Sequence, residues 1–74
     1  MLYLAITYDK NLFMYQTREE LYLAMSRMDF GAVDIYEVNK VSEVIAFYTL
    51  EVERDLTKEE LEEIKAKFNE AKEE

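Results

Sequence analysis

Leu2, Leu4, Ile6 and Tyr8 alternate with Tyr3, Ala5 and Thr7, the period-two pattern of a strand that rests on a core. Asp9-Lys10-Asn11 supplies turn residues, and the short β-favouring run Leu12 to Gln16 predicts the return strand of a hairpin. Thr17-Arg18-Glu19-Glu20 then has the form of a capping box, which predicts a helix with Leu21, Ala24, Met25 and Met28 facing the core. Asp29-Phe30-Gly31 predicts its end, with the one glycine of the chain at the position where left-handed backbone is usual. Ala32 to Val38 and Glu43 to Glu53 are rich in β-branched and aromatic residues, and they predict a second hairpin joined through Asn39-Lys40-Val41-Ser42.

Thr57-Lys58-Glu59-Glu60-Leu61 repeats the signal of Thr17-Arg18-Glu19-Glu20-Leu21 and opens a last helix over residues 57–74. The repeat fits either a duplication or two independent capping boxes. The pattern predicts one α+β domain over residues 1–74, ordered ββαββα, in which two helices cover one face of a four-stranded, mainly antiparallel sheet. The alternative is βαββα with three strands, Leu12 to Gln16 then being a loop. Glu43 to Glu53 carries apolar residues at both parities, so it is expected as the central strand, with Ile45 and Phe47 on an uncovered face.

A chain of 74 residues buries only about 60% of its unfolded surface, which makes self-association useful to it. Histidine and cysteine are both absent. That removes the usual general base near neutral pH, the strongest side-chain nucleophile and any thiolate metal site. The glycine-rich phosphate loops are missing, and Asp9-Lys10-Asn11 continues into Leu12, Phe13 and Met14 where a calcium loop needs oxygen ligands. The expectation is a non-enzymatic protein without metal or cofactor. Met1 to Tyr8 is too short to span a bilayer and lacks the flanks of a signal peptide, so the cytosol is the expected setting.

Seventeen acids against nine bases give a net charge of -8, which argues against direct contact with nucleic acid or an anionic membrane. Around the last helix, Leu61, Ile64, Phe68 and Ala71 share one side while Glu59, Glu62, Glu63, Glu70 and Glu73 lie opposite. Lys58, Lys65 and Lys72 occupy one flank and Lys67 the other. Like charges three or four apart on a helix are mildly unfavourable, so this segregation is not what stability alone selects. Asp34, Glu37, Glu43, Glu51 and Glu53 are expected to extend the negative field across a sheet edge. In size, charge and this stripe the chain resembles the small acidic, cysteine-free inhibitors that phages make early in infection, some of which are DNA mimics. The resemblance implies a homodimer that occupies the basic surface of a nucleic-acid-binding protein. The second candidate surface is apolar: Tyr22 and Leu23 point away from the core face of the first helix, with Phe13 and Tyr15 upstream. Together with Ile45 and Phe47 they suit a small self-associating structural module in which the acids serve solubility alone.

Overall fold

A computed structural model describes residues 1–27 and 33–72. Its element order is β1 (Leu2–Thr7), β2 (Leu12–Tyr15), α1 (Arg18–Arg27), β3 (Val33–Val38), α2 (Val41–Val52) and α3 (Lys58–Lys72). The described strands form one three-stranded antiparallel sheet in the order β2-β1-β3. The class α+β is as expected, whereas the four-stranded sheet with two helices is not. The expected end of the first helix at 29–31, and the core role expected of Met28, lie outside the described residues.

The decisive difference is the expected central strand Glu43 to Glu53, where Val41–Val52 form a helix capped by Glu53. The apolar residues of this run occur at both parities, but they also satisfy the helical period. Val41, Val44, Ile45 and Tyr48 face the core, while Ser42, Ala46 and Leu50, spaced by four, are exposed. Glu43 caps the start, its carboxylate accepting from the Asn39 N–H at 2.7 Å and the Lys40 N–H at 2.9 Å. A run of twelve residues is also long for a strand and ordinary for a helix. The Val, Ile, Phe and Tyr content that suggests a strand reflects burial against a sheet, a context in which intrinsic propensity is overridden.

β1 takes the central place instead. Leu4, Ala5 and Ile6 are essentially inaccessible, so both faces of this strand are covered. Leu2, Leu4 and Ile6 point to one face, where Leu12 from β2, Val38 from β3, Val44 from α2 and Ile64 and Phe68 from α3 complete the core. Tyr3, Ala5 and Thr7 point to the other, in register with Tyr15, Phe13, Glu37, Ile35 and Val33. Leu21 of α1 is buried on this second side, close to Tyr3 and Ile35. The helices are therefore divided, α2 and α3 on one face and α1 on the other.

The expected capping box is complete at Thr57, and at Thr17 it is met in part, the glutamate taking the amide one residue earlier. Thr17 Oγ1 accepts from the Glu20 N–H at 3.1 Å, and the Glu20 carboxylate reaches back to the Gln16 N–H. Thr57 Oγ1 accepts from the Glu60 N–H at 3.2 Å, and Glu60 accepts from the Thr57 N–H at 2.9 Å. The chain segments they belong to read ββα and then βαα. The recurrence is thus of helix starts and not of two equal halves.

Candidate functional site

The outward face of α3 exposes Glu59, Glu62, Glu63 and Glu70, while Ile64 and Phe68 anchor the inward face in the core. Glu73 lies outside the described residues. Lys58–Lys72 contains five acids and four lysines, so its character comes from segregation and not from net charge. Glu63 meets Lys67 at 3.7 Å, one turn along. Glu59, Glu62 and Glu70 make no hydrogen bond or ion pair among the described residues.

Other glutamates have structural partners. Glu60 is held in a two-point grip by Arg54, both N–O distances being 2.8 Å, and the guanidinium with the Thr57 amide brings its carboxyl down to about 2. Glu43 is lowered by the two amides it caps. Glu20 caps α1. The acids thus divide into a set that closes helix ends and a set left to solvent on α3.

The expected extension along a sheet edge takes a different form. Glu51 lies on α2 and is half-buried, accepting a 2.5 Å hydrogen bond from the Tyr36 hydroxyl while Lys10 Nζ stands 3.9 Å away. Asp34 on β3 lies beside the same carboxylate. That contact raises Asp34, the Tyr36 hydroxyl lowers Glu51, and Tyr36 itself is pushed up to about 12. Tyr36 also stacks on Phe47, ring centres 4.3 Å apart. This cluster fastens α2 to the sheet. Separated carboxyl affinities are the raw material of acid–base chemistry, but here Asp34 is exposed and the hydrogen bonds serve packing. Glu37 points to the opposite face, where Arg18 approaches it at 3.7 Å, and Glu53 sits at the left-handed end of α2. These four acids do not form one continuous field with the stripe.

The apolar candidates also separate. Ile45 and Phe47, expected on an open sheet face, belong to α2 and pack against the core. Tyr22 and Leu23 are exposed on α1, but they flank different depressions. Leu23 shares one with Tyr15, Ala24 and Arg27. Tyr22 shares another, of about 580 Å³, with Tyr3, Arg18, Ile35 and Glu37. Phe13 is half-buried on the α1 side of β2, and burial raises the Tyr15 hydroxyl above its ordinary value. Met25, expected in the core, is half-buried. Sequence reasoning missed Ile35 as an exposed residue beside Tyr22, because its place opposite Ala5 on the face that carries α1 emerges only with the strand register.

Among the described residues, no group of three or more acidic side chains is placed to hold a metal ion, and no helix is long and apolar enough to cross a membrane. Comparison with family models, characterised proteins and solved structures gives no match.

Proposed function

We propose that this chain is a non-enzymatic binding protein that presents the outward acids of α3 to the basic surface of a nucleic-acid-binding protein and competes there with the nucleic acid. The observation that carries this reading is the division of the glutamates. Glu20, Glu43, Glu51 and Glu60 have structural work, while among the described residues Glu59, Glu62 and Glu70 stand in solvent without hydrogen-bond or ion-pair partners and Glu63 has a one-turn lysine. Along a helix that rises 1.5 Å per residue, Glu59 to Glu70 spans about 16 Å, a length over which one DNA strand carries about five charges. Four carboxylates on one stripe approach that density. Such a surface steers basic partners and fixes their orientation. The expected setting is the cytosol, where such partners work.

The test is affinity capture from a bacterial lysate at low salt, followed by elution with DNA. The reading predicts a basic partner that DNA displaces and that salt releases steeply. A partner that survives high salt and ignores DNA would sink it. If nothing basic is captured, the stripe serves solubility, and the alternative role as a structural module takes its place.

A further inference from the structure

The face of the sheet turned away from α3 carries an independent inference. α1 packs chiefly on β2 and β1 and covers β3 only in part, so Ile35 is 42% and Tyr22 55% exposed across an open groove with Tyr3 at its floor. One charge of each sign borders this groove. Arg18 lies 5.8 Å above the Tyr3 ring and 3.7 Å from Glu37, and both members of the ion pair remain more than half exposed.

We infer that this groove is the contact between two copies of the chain, related by a two-fold axis that sets Tyr22 and Ile35 of each against the other and Arg18 of each against Glu37 of its partner. A two-fold contact uses the same patch twice and must therefore be self-complementary. An apolar strip bordered by one cation and one anion meets that condition, whereas the α3 stripe would meet its own copy with like charge. The unpaired acids Glu59, Glu62 and Glu70 lie on the opposite face of the sheet, so pairing through the groove keeps them apart. A 74-residue domain without cysteine also has little surface buried by itself and gains from a partner. The patch is small, which places the dimer among weak, concentration-dependent contacts.

Sedimentation of the whole chain across a concentration series up to about 1 mM, the weak end of measurable association, tests this. A monomer–dimer equilibrium is expected, and a strict monomer throughout overturns the inference and leaves the groove to a different protein. Tyr22→Lys is expected to weaken association about tenfold, as loss of an aromatic anchor does, with an unchanged circular dichroism spectrum. Arg18→Glu and Glu37→Arg should each weaken it alone, yet an equimolar mixture of the two single variants should associate again, because each then offers the charge the other needs. Only a contact between chains is repaired by mixing. A wild-type dimer that the three substitutions leave intact, or single variants that mixing does not rescue, overturns the proposed pairing. The outcome is separate from the α3 reading, which uses none of these residues.

Discussion

Glu53 ends α2 at φ 57° and ψ 35°, donating its N–H to the Thr49 carbonyl at 3.0 Å. This is the left-handed cap in which glycine is usual, because a Cβ there costs about 1–2 kcal/mol. Glu53→Gly removes that cost. It also loosens the unfolded chain, which returns roughly 0.4–1 kcal/mol to the other side. The side chain is exposed and makes no hydrogen bond or ion pair among the described residues, and a carboxylate leaves the negative end of a helix. The net expectation is a stabilisation of about 0.5–1 kcal/mol, seen as a rise in Tm of about 3–6 °C for a domain of this size. Thermal and urea unfolding followed by circular dichroism would measure it, with the urea midpoint moving and the slope unchanged. Glu53→Ala is the control, since it removes the charge but keeps the Cβ, and it should recover little of the gain. If glycine is no better than alanine, the left-handed cap is not the source of strain at this position.

Leu4 is completely buried at the centre of the sheet, and Leu4→Ala should cost about 2–5 kcal/mol, enough to unfold much of a small domain as read by the urea midpoint. Glu60 has a folded-state value of about 2, below its ordinary 4.5, so its stabilising contribution is whole above the ordinary value and is lost as pH falls from about 4.5 towards 2. Arg54→Met should remove most of that acid dependence, and an unaltered pH profile of the urea midpoint would show that the grip is absent in solution. Asp34 is raised by its contact with Glu51, so it stabilises the fold below its ordinary 3.8 and loses that contribution as pH rises through its elevated folded value. Asp34→Asn keeps a neutral partner for Glu51 and should raise Tm at neutral pH while changing it little near pH 3, a difference that paired melts would reveal.

β1, β2, β3 and the starts of α1 and α3 were legible because each rests on a local signal. Alternation marks Leu2 to Thr7, and a Thr followed by Glu three residues later marks both helix starts. α2 was not, because Val41 to Val52 satisfies both periods and its arbiter is tertiary: Val44, Ile45 and Tyr48 must cover a sheet whose centre is β1. That one change moved Ile45 and Phe47 from an open face into packing, while Tyr22 and Leu23 stay exposed on α1 as expected. The stripe on α3 was legible as a helical projection, whereas the partnering of the acids was not. Nothing in the order of residues says that Arg54 takes Glu60 rather than Glu59, since that choice depends on the turn between α2 and α3.

Glu59, Glu62, Glu63 and Glu70 are the residues on which the functional reading stands, and replacing all four by glutamine keeps their size while removing their charge. Titration of the basic protein captured from lysate into wild-type and four-fold Gln chains, at several salt concentrations, tests that reading most directly. The account predicts that wild-type affinity falls steeply with salt, that the variant binds at least tenfold more weakly at low salt, and that its salt dependence is shallower. Equal affinity and equal salt dependence of the two chains, with both folded, would contradict it.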